Sequence, residues 1–117
     1  MTLLLVLLGG ALGAAVRFVV HRSIPTSFPW ATLAVNVAGS LVLGLISGLA
    51  AGAHGLPEWV RALAGTGFCG ALTTYSTFSL ETARLAGRGA LRQASANAAA
   101  TVLAGIGACW LGWAASN

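Results

Sequence analysis

The residues best equipped for chemistry in this 117-residue chain lie in one run of fifteen, Gly65-Thr-Gly-Phe-Cys-Gly70-Ala-Leu-Thr73-Thr74-Tyr75-Ser76-Thr77-Phe78-Ser79. Three glycines come first, then five hydroxyl residues and two aromatics within seven positions. Glycine, serine and threonine are weak helix formers, so a helix through this run is expected to break. Carbonyls exposed at such a break are hard oxygen ligands, suited to a small hard cation, as at the unwound helices of transporters. A second polar feature is Thr32, Asn36 and Ser40, spaced i, i+4, i+8 on one helix face. The Asn36 amide offers two donors. Asn97 and Thr101 repeat the i, i+4 spacing. The plain alternative is structural, with hydroxyls bonding back to the carbonyl one turn earlier and asparagines joining neighbouring helices. For Asn36 and Asn97 taken singly that account is the simpler one. It fits poorly with five hydroxyls following three glycines.

The solvent for these residues is lipid. The chain is 57% hydrophobic and 7% charged, with a mean hydropathy of +0.87, whereas a soluble domain carries about a quarter of its residues charged. Its acids are Glu58 and Glu81, and its six bases are all arginine. A span needs roughly 20 apolar residues, so the length allows four spans and no separate soluble domain. The chain is read as one domain over residues 1–117, all-α and integral to the membrane, with spans near 2–20, 30–53, 58–85 and 91–115. Met1–Val20 is apolar from its first residues and lacks a basic segment, which fits a first span better than a cleaved signal. Two prolines in His21–Pro29, then His54-Gly55-Leu56-Pro57 and Gly87-Arg88-Gly89, supply the turns. Trp30, Trp59, Trp110 and Trp113 fall toward span ends as an aromatic belt. The glycine-run break then lies at mid-membrane, where each unpaired backbone group costs several kcal/mol and irregular backbone survives only buried in protein or lining a polar cavity. Cys69 and Cys109 read as small packing residues. His21 and His54 have no ligand spacing around them and read as ordinary interfacial residues. Small residues such as Gly9, Gly10, Gly13, Gly44 and Gly48 suit close helix packing, and four helices this small are expected to oligomerise.

Three segments together resemble the Fluc (CrcB) family of fluoride channels. Gly9-Gly10-Ala-Leu-Gly13-Ala-Ala-Val-Arg17-Phe18 is similar to its GGxxGAxxR opening. Ala31-Thr32-Leu33-Ala34-Val35-Asn36-Val37-Ala38-Gly39-Ser40 is similar to GTLxVNxxGS, with Ala31 in place of glycine. The run from Gly67 to Ser79 is similar to the GFCGGxTTFSTFS signature. The resemblance covers nearly the whole chain, and its third segment is the most specific. It implies a passive fluoride channel built as an antiparallel, dual-topology dimer with two pores and a third helix broken at the dimer centre. It implies a structural sodium ion there, held by the carbonyls of Gly70 and Thr73 from both copies. It places Asn36, Thr32, Tyr75, Phe78 and Thr77 along the pore and, by a looser match, Thr101. Arg17 and Glu81 fall at vestibule positions, where snorkelling or a solvated helix end is the bland alternative. Tyr75 stands where phenylalanine is usual, and Ala71 where glycine is usual. Both bear on the proposed pore and ion. The implied role is export of toxic cytoplasmic fluoride across the cell membrane.

Fluoride is small and strongly hydrated, so a series of weak donors (amide, hydroxyls, electropositive ring edges) would let it enter and still leave. Arginines flank the loops five to one, with Arg17, Arg22, Arg84, Arg88 and Arg92 on one side and Arg61 on the other. That bias predicts one orientation with both termini outside, in tension with dual topology. A homodimer is still favoured, and a heterodimer with a paralogue or a non-conducting member is the alternative. A small multidrug exporter needs a carboxylate in its first helix, and Thr2–Val20 has none. A non-transporting assembly subunit would explain the small residues but not a hydroxyl-rich break beside Asn36. Enzyme activity is not expected, because no Ser–His, Cys–His or paired-carboxylate arrangement falls at one depth. Lipid and fluoride are the expected partners, and nucleic acid is not.

Overall fold

A computed structural model describes residues 1–24, 28–52 and 55–116. Among the described residues, three helices are long and apolar enough to cross a membrane: α1 (Thr2–Ser23), α2 (Trp30–Ala51) and α5 (Leu91–Ser116). Between α2 and α5 runs the interrupted third span. Its first half, α3 (residues 58–72), joins a turn Glu58–Val60, a wide π-helical stretch Arg61–Cys69 and a last turn Gly70–Leu72. Its second half is α4 (Tyr75–Gly87). The chain is thus an all-helical, multi-pass membrane protein, with a long dimension of 50 Å, enough for a bilayer of roughly 40–45 Å with its headgroups.

The packing is inverted relative to a soluble domain. Leu3, Leu7, Phe18, Leu103, Ile106 and Trp110 point outward, while the largest fully buried side chains are Leu85, Asn97 and Thr32. Small residues fill the interior because helices in lipid gain from close backbone approach rather than from hiding apolar surface. Two helix pairs use this. In α1 against α3, a methyl added at Gly9 would run into the Leu63 carbonyl, and one at Gly13 into the Phe68 carbonyl. In α2 against α5, a methyl at Gly44 would meet the Cys109 carbonyl, and one at Gly112 the Leu41 carbonyl.

The helix ends refine the expected spans. The first span continues three residues past Val20 to Ser23. His21 Nδ1 and Ser23 Oγ satisfy the last-turn carbonyls of Arg17 and Val19, at 2.9 and 2.8 Å, so residues read as a break finish a helix instead. α2 ends at Ala51, and residue 53 of the expected span lies outside the described residues, as do His54 and 25–27 of the first turn. The third span reaches Gly87 rather than Leu85. It closes with paired bonds, Ala90 N–H to the Leu85 carbonyl (2.9 Å) and Gly89 N–H to the Ala86 carbonyl (3.1 Å). This C-terminal motif requires a left-handed residue, and Gly89 supplies it with φ +79°.

Candidate ion pathway at the broken helix

The break occupies two residues. Thr73 (φ −78°, ψ 152°) and Thr74 (φ −146°, ψ 124°) are both extended. In a continuous helix the Thr74 N–H would bond the Gly70 carbonyl, and the Thr77 N–H the Thr73 carbonyl. Here both donors are diverted. Thr74 N–H donates to Asn36 Oδ1 at 2.8 Å, and Thr77 N–H donates to Thr74 Oγ1 at 3.1 Å. The second bond makes Thr74 the N-cap of α4. Asn36 Nδ2 completes the splint by donating to the Thr74 carbonyl at 3.2 Å. One asparagine side chain therefore serves as a backbone partner for the residue the break leaves bare. The cost of unpaired backbone in lipid is met on one side, and the Gly70 and Thr73 carbonyls lose their helical donors.

Those two carbonyls are the ones the resemblance assigned to a cation. A cation of that kind takes hard oxygen ligands in numbers that two carbonyls from one chain do not reach. The Gly70 surroundings leave room, since nothing lies within 4 Å of where its side chain would be. The donor chemistry fits a small hard ion, for which one chain supplies two of the oxygens. On the other side of the break, α2 admits Thr73 because residue 39 is glycine. A methyl there would run into Thr73 Cγ2.

A groove of about 690 Å³ opens beside the break, lined by Asn36, Ser40, Thr73, Tyr75, Phe78 and Thr101 among others. The Gly70 backbone also borders it. Tyr75 is 81% exposed there, and its ring centroid is 6.2 Å from that of Phe78, tilted by 50°. Four expected pathway residues (Asn36, Tyr75, Phe78 and Thr101) are thus gathered in one groove with both carbonyl residues. Asn36 arrives with one amide proton already committed to Thr74, leaving one for an ion where two were counted from sequence. Thr101 Oγ1 lies 3.5 Å from Asn97 Oδ1, and Asn97 Nδ2 donates to Thr82 Oγ1 at 2.8 Å. Asn97 is therefore the helix-joining residue of the simpler account.

The other expected site residues stand elsewhere. Thr32 shares a face with Asn36 but is completely buried and bonded to His21 and Glu81 rather than lining the groove. Thr77 lies at the N-terminus of α4 outside the groove lining, its N–H tied to the cap. Arg17 contributes its carbonyl to His21. Glu81 accepts from Thr32. Two residues given no site role by sequence have one in space. Arg61 borders the groove and bonds Glu58 at 2.5 Å. His21, read as an ordinary interfacial residue, bridges α1 to α2. Nothing in its spacing signals that, because its partner is eleven residues away across a turn.

The sequence profile described as "CrcB-like protein, Camphor Resistance (CrcB)" matches residues 4–113. The chain is 52% identical to "Fluoride-specific ion channel FluC 1" of Frankia casuarinae, over 96% of this chain and 93% of that one. It is 50% identical to the protein of the same description in Streptomyces avermitilis, over 96% and 93%. It is also 50% identical to "Fluoride-specific ion channel FluC 2" of Rhodococcus jostii, over 97% and 96%. With the profile and relatives at this identity both spanning nearly its full length, the chain belongs to the CrcB family.

Proposed function

We propose that this chain is a fluoride channel rather than an enzyme, working as a dimer of antiparallel copies in the cell membrane and letting cytoplasmic fluoride leave down its gradient. The reading is supported by the full-length relatives described as fluoride-specific ion channels. The observation that carries it is the groove in which Asn36, Tyr75, Phe78 and Thr101 meet beside two diverted carbonyls. A single chain leaves that groove open, with Tyr75 exposed, and a second copy would close it. Within the closed pathway, the remaining Asn36 amide proton, the Thr101 hydroxyl and the ring edges of Tyr75 and Phe78 act as modest donors in sequence. Each replaces part of a hydration shell without trapping the ion. A sodium ion would sit at the dimer centre on the Gly70 and Thr73 carbonyls of both copies, supplying a fixed positive charge that holds the two breaks together. Relief of fluoride toxicity follows from passive exit.

The test is fluoride efflux from liposomes containing the purified protein alone, read with a fluoride electrode against a chloride control. Fast, fluoride-selective release that disappears in Phe78→Ile is the expected result. The five-to-one arginine bias favours one competing reading, a member needing an oppositely oriented partner. Silence from well-folded protein alone, with activity restored by a paralogue, would replace the homodimer with that assembly.

A further inference from the structure

α4 and α5 meet in a tight turn, and three arginines fall within nine residues of it. Arg84 stands in the last turn of α4, Arg88 caps that helix, and Arg92 opens α5. All three are exposed. Among the described residues none of the three has a side-chain hydrogen bond or a counter-ion. The acid nearest in sequence, Glu81, accepts from Thr32 instead, and Glu58 pairs with Arg61 near the start of α3.

The corner that carries these charges is fixed. Arg88 N–H donates to the Arg84 carbonyl at 3.1 Å, and Ala90 N–H donates to the Leu85 carbonyl at 2.9 Å. Leu85 beneath the turn is buried, and the Asn97–Thr82 bond ties the two helices below it. The corner is also open. Gly87 and Gly89 flank Arg88, and nothing lies within 4 Å of where their side chains would be.

Below the arginines the surface is apolar. Leu80, Arg84 and Arg88 are spaced i, i+4, i+8 along one exposed face. That face is turned away from the groove, because Leu80 lies two residues, about 200°, beyond Phe78. On α5 the exposed Leu103 lies eleven residues beyond Arg92, three turns along the same side of that helix. Each stripe is thus apolar at the depth of hydrocarbon and ends in an unpaired guanidinium at the depth of headgroups.

We propose that the α4–α5 turn binds the headgroup of an anionic phospholipid. Its phosphate sits among Arg84, Arg88 and Arg92, and its acyl chains lie along the Leu80 and Leu103 stripes. A guanidinium offers parallel N–H donors that match phosphate oxygens in pairs. A water-soluble anion would gain nothing from the stripes. A zwitterionic lipid brings the same phosphate together with an ammonium, and the turn has no acid to receive it.

The experiment is native mass spectrometry of the purified protein in detergent, titrated with phosphatidylglycerol or with phosphatidylcholine of the same acyl chains. The first phosphatidylglycerol per chain should bind more tightly than the first phosphatidylcholine. Arg88→Gln should weaken it by about fivefold, the strength of one arginine near an anionic lipid surface, and glutamine at all three positions by about a hundredfold. Glutamine at Arg17, Arg22 and Arg61 removes the same charge elsewhere and should change the affinity by less than about twofold. Arg88→Gln alone keeps the comparison should the triple variant not fold. Inorganic phosphate should not displace the lipid. Equal affinity for the two lipids, or equal weakening in the two triple variants, overturns the site. Displacement by inorganic phosphate would make the turn a site for free anions and overturns it too.

Discussion

Asn36 shows how one side chain can hold a membrane helix open. Its two bonds to Thr74 satisfy a buried N–H and a buried carbonyl at once. In Asn36→Leu both are stranded, at about 1–3 kcal/mol for each group. The variant should unfold at lower temperature in detergent and lose flux. Asn97→Leu, which gives up its bond to Thr82 away from the break, should lose stability while keeping the preference for fluoride over chloride. Equal loss of selectivity in the two would contradict this division of roles. The sequence showed Asn36 as an amide at the right depth with two donors, but not that one would be spent on the backbone of Thr74, 38 residues further along the chain. It placed Thr32 on the same face, correctly by periodicity. Whether that face looks into a groove or under a neighbouring helix depends on where α1 ends, and α1 ran one turn longer than its apolar pattern suggested because His21 and Ser23 satisfied its last carbonyls.

At the level of helices, the fold was largely legible. Apolar runs of span length bounded by proline, glycine and arginine gave four crossings, and the glycine-hydroxyl run marked the broken one. Which helices pair was not written in the pattern, since glycine is common throughout and its meaning comes from what it faces. Gly44 lies against the Cys109 carbonyl, whereas nothing lies within 4 Å of a methyl at Gly107. Gly44→Ala should therefore disrupt the α2–α5 pair and reduce the yield of folded protein. Gly107→Ala should leave the pair intact and favour the helix by about 0.5–1 kcal/mol. Size-exclusion profiles and thermal melts of the two variants separate these outcomes, and similar behaviour in both would deny that the close crossing matters. Gly39→Ala probes the break itself. It pushes on Thr73, so it should weaken flux more than it lowers the melting temperature.

The whole molecule exposes large apolar side chains along its length and keeps its charges near the ends. Arg17, Arg22, Arg84, Arg88 and Arg92 share one end, and Arg61 stands at the other. That asymmetry predicts that most copies insert with both termini outside. Replacing Arg84, Arg88 and Arg92 with asparagine should even out the two orientations, as read by labelling of a terminal cysteine from each side of the membrane. An unchanged ratio would show that these arginines do not set the orientation. The splint at the break carries a consequence for how the chain is made. The third crossing has a backbone gap at Thr73 and Thr74 that its own residues only partly close, and the missing partner, Asn36, belongs to the crossing before it. During synthesis α2 leaves the ribosome first and is waiting in the bilayer when the gap arrives. A circular permutant that delivers the third crossing ahead of α2 should stall at the insertion machinery or be degraded, although every residue and every final contact is the same.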